Sequence, residues 1–256
     1  PRRTDPNTGE TYNSVIKPIG AAYTSKSVNF HTGEVSDVTV EPANEDEIRQ
    51  TVAVMGGDDW EMWINALSDA GVLAKGAITV AYSYVGPKMT HSIYRDGTIG
   101  RAKDHLESTA LKLDEKLQKE IGGRAFVSIN KALITQASAA IPVIPLYISI
   151  LFKVMKEKNV HEGCIEQMYR LFKDRLYADK IQLDEKGRIR IDDLEMREDV
   201  QNEVARIWNM VDSENIDELT DIKAYRTDFY NLFGFEVPEV DYTKDVNPEV
   251  PIPSIG

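Results

Sequence analysis

The chain of 256 residues has little or none of several features that mark common protein classes. Cys164 is its only cysteine, which excludes an internal disulfide and favours a reducing compartment, here the cytoplasm. The net charge of −12 argues against a nucleic-acid partner, because such proteins usually present a basic surface. The longest uncharged stretch, between Lys131 and Lys153, is interrupted by Pro142 and Pro145 and therefore does not predict a membrane span.

Three further absences concern the start of the chain, nucleotide binding and metals. The sequence opens at Pro1 without a methionine, and it contains no glycine-rich phosphate loop. We therefore expect the chain to be the C-terminal part of a longer enzyme whose N-terminal cofactor-binding half is missing. His161 and Glu162 begin like a zinc-binding helix, but Ile165 stands where the second histidine would be, so no metal site is expected.

The residues that are present predict an α/β fold with a parallel sheet. A β-rich run over 77–84, a helix from 98 to about 120 and an apolar strand over 124–129 form a β–α–β unit. Around this unit the local patterns predict an irregular stretch over 1–26, a hairpin of 27–30 with 35–40, helices starting at 44 and 58, helices over 145–158, 161–177, 199–211 and 217–229, a second hairpin around 184–187 and an extended tail from 238.

These elements divide the chain into three parts of one domain. Residues 1–75 hold the hairpin and a helical insertion, 76–160 the β–α–β segment with the candidate catalytic residues, and 161–256 a helical C-terminal region. In the first part, Trp60, Trp63, Ile64 and Leu67 are expected on one buried side of a helix.

A tyrosine and a lysine nine positions apart, Tyr94 and Lys103, follow the first strand of the β–α–β unit. In a continuous helix this spacing would place them on opposite faces, about 13.5 Å apart along the axis. Gly97 and Gly100 predict a non-helical backbone after Tyr94, so that both side chains reach the sheet edge where α/β folds bind ligands. The phenol can polarise a carbonyl, and the ammonium can hold a nicotinamide ribose. We expect the ammonium to lower the tyrosine pKa from about 10.

Other interpretations of these residues stay open. With 11 tyrosines and 30 lysines and arginines in the chain, the spacing also arises by chance. Tyr84 is either a polar contact for a substrate or a strand tyrosine whose hydroxyl meets solvent. Cys164 lies in a helical context without an obvious base nearby and is expected to be structural.

Several long stretches resemble the bacterial trans-2-enoyl-CoA reductases, close relatives of the V-type enoyl-acyl-carrier-protein reductases. The stretches are 55–60, 81–87, 93–103, 135–147, 152–158, 161–164 and 232–235. Residues 1–4 also resemble the family, at a point just after the strand that closes its cofactor-binding half. The resemblance covers nearly the whole chain.

The resemblance implies a Rossmann-like fold of the enlarged short-chain dehydrogenase type, with extra helices and small hairpins. It implies reduction of the carbon–carbon double bond of 2-enoyl thioesters by NADH in fatty acid synthesis, with hydride going to the β-carbon. Tyr94 would be the proton donor and Tyr84 the substrate contact, whereas the implied cofactor contacts are Lys103, Leu133, Ile134 and Thr135. The implied partners are an enoyl-CoA or enoyl-acyl-carrier-protein and the N-terminal half, and the complete enzyme is expected to be a monomer.

Two alternative functions remain open on the sequence. The chain could be a non-catalytic module that binds an acyl-CoA or a partner protein. It could also be a ketoreductase related to the short-chain dehydrogenases, although a Tyr–Lys separation of nine rather than four disfavours this. Assays with enoyl and keto substrates would separate these possibilities.

Overall fold

The computed structural model describes residues 1–6, 8–247, 249–251, 253 and 254. Its strands, in chain order, are β1 (Arg2–Thr4), β2 (Thr11–Asn13), β3 (Tyr23–Asn29), β4 (Glu34–Val40), β5 (Ile78–Ser83), β6 (Arg124–Ile129) and β7 (Ile189–Arg190). Its helices are α1 (Glu45–Met55), α2 (Asp58–Asp69), α3 (His91–Tyr94), α4 (Thr98–Ile121), α5 (Gln136–Ala139), α6 (Ile144–Glu157), α7 (Cys164–Leu171), α8 (Glu198–Met210), α9 (Ile216–Leu219) and α10 (Ile222–Asn231). A 3-10 turn, Lys88–Thr90, precedes α3, and a π-helical turn, Phe172–Leu176, extends α7.

A parallel sheet in the order β5–β6–β7 supports the site. From Ala125 to Ile129 every residue of β6 is buried, as expected for a strand covered on both faces. The helix that connects β5 to β6 ends at Gly122, whose φ of 67° fits the left-handed cap that glycine adopts easily. The predicted β–α–β unit and the Rossmann-like α/β fold class are confirmed.

The predicted second hairpin is wrong. The turn at 184–187 exists, with the Gly187 amide donating to the Asp184 carbonyl at 2.9 Å, but residues 181–183 are not in a strand. Instead, β7 pairs in parallel with β6, Ser128 opposite Ile189. The cause is tertiary, because Ile189 is fully buried against Phe126 in a small apolar cluster.

The N-terminal region is more regular than predicted. β1 and β2 form an antiparallel ribbon within the stretch expected to be irregular, and this ribbon packs on α1. β3 and β4 form the predicted hairpin, with a first strand longer than expected. Asn44 and Glu47 make the predicted capping box at the start of α1.

The main apolar core surrounds α6, which packs against β3, α8 and α10. From Ile144 to Phe152 every residue of α6 is buried, so the second part of the uncharged stretch is a core helix. Within the described residues, no helix has the length and apolar character needed to cross a membrane.

Several local predictions outside this core are wrong. The helix predicted over 161–177 begins only at Cys164, which is exposed rather than structural. The helix predicted over 217–229 is split at Thr220 into α9 and α10. Trp63 is 68% exposed, although Ile64 beside it is buried. The described part of the tail from 238 contains turns rather than extended chain.

Candidate functional site

A cavity of about 320 Å³ lies where the carboxyl ends of β5 and β6 meet. Ser83 at the end of β5 and Asn130 after β6 line it, and the Asn130 amide donates to the Ser83 carbonyl at 2.8 Å. Parallel α/β sheets bind their ligands at this edge. Tyr94 and Lys103 both line the cavity, so the fold brings the predicted pair together.

Tyr94 is the last residue of the one-turn helix α3, which corrects its predicted place on a loop. The amides of Arg95 and Asp96 both donate to the carbonyl of His91, and these two hydrogen bonds end the helical turn. The Tyr94 ring is buried and packs edge-on against the ring of Tyr84, with centroids 5.0 Å apart.

Gly97 and Gly100 are needed for a different reason from the one predicted. Neither has a positive φ, and Gly100 lies inside α4. A Cβ atom on Gly100 would lie 1.9 Å from the carbonyl oxygen of Arg95, and one on Gly97 would lie 2.6 Å from that of Ile93. The absence of side chains therefore lets α4 start directly against the segment that carries Tyr94.

Lys103 is buried in the first turns of α4, and its Nζ donates to Ser83 Oγ at 3.3 Å. Burial lowers the pKa of this lysine to about 8, with Arg95 acting in the same direction and Glu107 opposing it. Nζ lies 5.9 Å from the centroid of the Tyr94 ring. The ammonium thus faces the ring rather than bonding the hydroxyl.

The expectation that the lysine lowers the Tyr94 pKa is wrong. Burial raises that pKa, and the nearby Glu195 carboxylate and Tyr225 add to the effect. Among the described residues, none bonds the Tyr94 hydroxyl. Tyr94 therefore stays protonated at neutral pH and keeps its hydrogen available to a ligand.

Tyr84 also lines the cavity, but its hydroxyl points inward rather than to solvent. It donates to Oε1 of Glu195 at 2.9 Å. Burial and the negative charge of Glu195 raise the pKa of Tyr84 well above its ordinary value. The solvent-facing interpretation of this tyrosine is thus wrong, while its contact with a substrate stays a prediction.

The segment predicted to border the nicotinamide divides between cavity and core. Leu133 and Thr135 line the cavity, whereas Ile134 belongs to the main apolar core. Thr135 is fixed by a capping box with Ser138 at the start of α5.

Backbone strain lies at the edge of the same cavity. Val143 has a φ of 76°, a conformation that is costly for a β-branched residue. It directly precedes Ile144, which lines the cavity and begins α6.

Two buried ionisable residues at the site were not predicted from the sequence, Glu195 and Lys131. Glu195 is fully buried between β7 and α8, and burial raises the pKa of its carboxyl. Lys131 is 2% exposed, and its Nζ donates to the Ala132 carbonyl at 2.8 Å. Burial lowers the Lys131 pKa to about 8. The one available signal for Glu195 is its place in the acidic group Asp192, Asp193 and Glu195, which follows the apolar run at β7.

Comparison with known families identifies the chain. Residues 1–177 match the family model of the trans-2-enoyl-CoA reductase catalytic region. The chain belongs to the trans-2-enoyl-CoA reductase family. Residues 183–246 match a second family model, described as an enoyl reductase FAD binding domain.

Relatives and solved structures agree with this membership. The chain is 65% identical over 252 residues to the NADH trans-2-enoyl-CoA reductase of Ruminiclostridium cellulolyticum and 62% identical over 253 residues to the NADH enoyl-acyl-carrier-protein reductase of Cytophaga hutchinsonii. These matches cover 98% of the chain and 64% of each relative. The crystal structure of the Clostridium acetobutulicum trans-2-enoyl-CoA reductase in complex with NADH superposes with a TM-score of 0.94 at 50% identity, covering 96% of this chain and 62% of that one. The chain therefore spans a little under two thirds of the length of its relatives.

The described residues of 183–246 do not fit a flavin dinucleotide. Gly187 and Gly234 are the only glycines of the segment, so it has no glycine-rich loop to receive a pyrophosphate. None of its residues lines the main cavity. The cavities that its first residues border measure about 60 and 250 Å³, below the ~300 Å³ at which ligand pockets begin. Within this chain the segment instead supplies Glu195 to the site.

Proposed function

We propose that this chain carries the proton-donating side of the active site of a reductase that saturates trans-2-enoyl thioesters with NADH. The observation that carries the proposal is the protonated, unbonded phenol of Tyr94 in a cavity beside the buried Lys103. The relatives named for NADH-dependent enoyl reduction support the same reaction.

The residues of the cavity fit one end of a nicotinamide cofactor. Lys103 Nζ has one hydrogen-bond partner among the described residues, so its other hydrogens are free for the hydroxyls of a ribose. Leu133 and Thr135 offer an apolar and a polar contact at the same edge. When bound, NADH supplies the hydride for the β-carbon of the enoyl group.

Tyr94 stabilises the charge that develops on the substrate. As the double bond is reduced, negative charge moves to the thioester oxygen and an enolate forms. The Tyr94 hydroxyl donates its hydrogen to that oxygen, and the Lys103 ammonium lowers the energy of the resulting phenolate. The enol becomes the saturated thioester when its α-carbon takes a proton from solvent and its hydroxyl proton returns to Tyr94. Burial of both groups strengthens these interactions because it excludes water.

The proposal extends to the rest of the enzyme. A preceding N-terminal half would hold the pyrophosphate, in agreement with the 64% coverage of the relatives. Residues 1–75, 76–160 and 161–256 then act as the insertion, the catalytic segment and the helical region of one domain. Relatives carry both coenzyme A and acyl-carrier-protein names, so the proposal covers both thioester handles. It also places a monomeric enzyme in the cytoplasm, which suits the unpaired Cys164.

The test is crotonyl-CoA-dependent oxidation of NADH by this chain, with and without a separately produced N-terminal half. Turnover in the mixture alone is the expected result. A folded, associated mixture without turnover would contradict the proposal. Turnover of a keto substrate in place of crotonyl-CoA would favour a ketoreductase instead.

A further inference from the structure

Glu195 lies behind Tyr84, outside the cavity, and gathers hydrogen bonds from three other elements. Its Oε1 accepts from the hydroxyls of Tyr84 at 2.9 Å and Tyr147 at 2.6 Å, and its Oε2 accepts from the amide of Ala132 at 2.7 Å. Gln201 donates to the Tyr147 hydroxyl oxygen at 3.2 Å and to the Glu195 carbonyl at 2.8 Å. Glu195 is fully buried and does not line the cavity, so it does not touch a ligand itself; of the residues that donate to its carboxylate, Tyr84 and Ala132 line the cavity.

The direction of these hydrogen bonds follows from the donors. The backbone nitrogen of Ala132 and the side-chain nitrogen of Gln201 are donors and cannot accept a hydrogen bond. Tyr147 donates to Glu195 at 2.6 Å, while its oxygen accepts from Gln201. Burial raises the Glu195 pKa, whereas the hydrogen bonds from Tyr147, Ala132 and Tyr84 and the nearby Lys131 charge oppose that rise and favour the ionised carboxylate.

An ionised carboxylate accepts hydrogen bonds and donates none. The hydrogen of Tyr84 is therefore directed away from the cavity, and its oxygen offers a lone pair to a ligand. Tyr94, with its ring 5.0 Å away, keeps its hydrogen free. Two adjacent phenols of identical covalent structure thus present different groups to the cavity: Tyr84 presents an acceptor and Tyr94 a donor.

We propose that Glu195 is a positioning residue that fixes the hydroxyl hydrogen of Tyr84, so that of these two tyrosines packed edge-on Tyr94 alone donates to the thioester oxygen. This inference rests on the proposed function, since it assigns roles within the same site. It gives the C-terminal segment a part in catalysis that requires no flavin.

Glu195→Gln tests the proposal in the full-length enzyme. In the variant, the amide oxygen satisfies the Ala132 amide, and the amide hydrogens point at the two phenol oxygens. Tyr84 then accepts from residue 195 and turns its own hydrogen toward the cavity.

The expected result is a rescue. Tyr94→Phe lowers kcat about 100-fold or more, as loss of a general acid does. Adding Glu195→Gln to Tyr94→Phe recovers about tenfold of that loss, because Tyr84 becomes a donor. Adding Tyr84→Phe as the matched control abolishes the recovery. A double variant no faster than Tyr94→Phe, or a recovery that survives Tyr84→Phe, would overturn the proposal.

A second comparison keeps residue 195 intact in case its substitution prevents folding. With Glu195 in place, Tyr84→Phe added to Tyr94→Phe removes an acceptor but no donor, so we expect KM to rise while kcat falls by less than about tenfold. A further loss of about tenfold or more would show that Tyr84 donates to the substrate and would overturn the proposal.

A spectroscopic measurement separates this inference from the proposed function. The ultraviolet resonance Raman difference between wild type and Tyr84→Phe isolates the tyrosine doublet of residue 84, whose intensity ratio distinguishes a donor from an acceptor. We expect a donor in the wild type, and an acceptor ratio would overturn the inference without any turnover. Wild-type enzyme that shows the donor ratio yet lacks turnover would contradict only the proposed function.

Discussion

Buried and half-buried charges are arranged in opposite ways in two regions of this molecule. In the cavity cluster (Tyr84, Tyr94, Lys103, Lys131 and Glu195), neither lysine forms an ion pair with a residue that the structure describes: Lys103 bonds a hydroxyl and Lys131 a carbonyl. In the arginine cluster beside β7, every guanidinium meets a carboxylate. Its members are Arg170, Arg188 and Arg190 with Glu107, Glu162, Asp184 and Asp192.

This difference in pairing suits the cavity cluster to ligand binding and the arginine cluster to stabilising the fold. Arg188 donates to both Glu107 and Asp184, at 2.9 and 2.7 Å, so its charge is satisfied within the fold. Lys103 and Lys131 are desolvated without such partners, and the pKa of each falls to about 8. A charge left without a counter-ion is available to a ligand, whereas a paired one holds elements together.

The largest effect is expected in the cavity cluster, from Tyr94→Phe in the full-length enzyme. Removing the phenol should lower kcat by about 10²–10⁴ while NADH affinity is kept, because the donor acts only as charge develops on the substrate. Stopped-flow turnover and fluorescence titration with NADH measure the two quantities. Near-normal turnover would remove Tyr94 as the proton donor.

In the arginine cluster we expect the reverse, a loss of stability without loss of chemistry. Arg188→Met leaves the Glu107 carboxylate without its ion-pair partner and removes the shorter of two guanidinium contacts from Asp184, so it should lower the free energy of unfolding by about 3 kcal/mol. Urea denaturation measures this change, and kcat per folded molecule should stay at the wild-type level. A large fall in kcat with unchanged stability would break the comparison.

A smaller effect comes from the pH dependence of the cavity cluster. Because the Lys103 pKa is lowered to about 8, its ammonium is present below that pH and lost above it. We expect kcat/KM to fall about tenfold per unit above pH 8. Lys103→Met should remove this alkaline limb, and Lys131→Met should keep it. If Lys131→Met removed the alkaline limb and Lys103→Met kept it, the titrating group would be Lys131.

The smallest effect is expected from an ion pair on the surface. Arg206 pairs with Glu203 on the exposed face of α8. Arg206→Ala should leave both the urea midpoint and kcat unchanged, because solvent screens such pairs. A shift as large as that of Arg188→Met would show that pairing, rather than burial, decides the contribution.

The sequence alone was sufficient for elements with strong local signals. The long helix α4 and the strand β6 were predicted within one residue at each end, because glycines bound a clear apolar pattern. The pair of Tyr94 and Lys103 could be found for a similar reason, since nine positions and two glycines place both at one sheet edge.

Features that depend on distant contacts could not be predicted in this way. β7 has two residues, and its parallel pairing with β6 is decided by burial rather than by the adjacent turn. Glu195 lies 111 positions from Tyr84 and 48 from Tyr147, so no spacing rule joins them. Its burial reverses the usual preference of a carboxylate for solvent, and local composition carries no signal of that.

Gly100 affects the geometry of the site although it has no side chain. A methyl group there would push α4, which carries Lys103, away from the Arg95 carbonyl, which lies directly after Tyr94 in the chain. A backbone contact at a residue without a side chain therefore constrains the distance between two side chains of the cavity. Gly100→Ala would be an engineering tool that shifts Lys103 relative to Tyr94 while both side chains are retained.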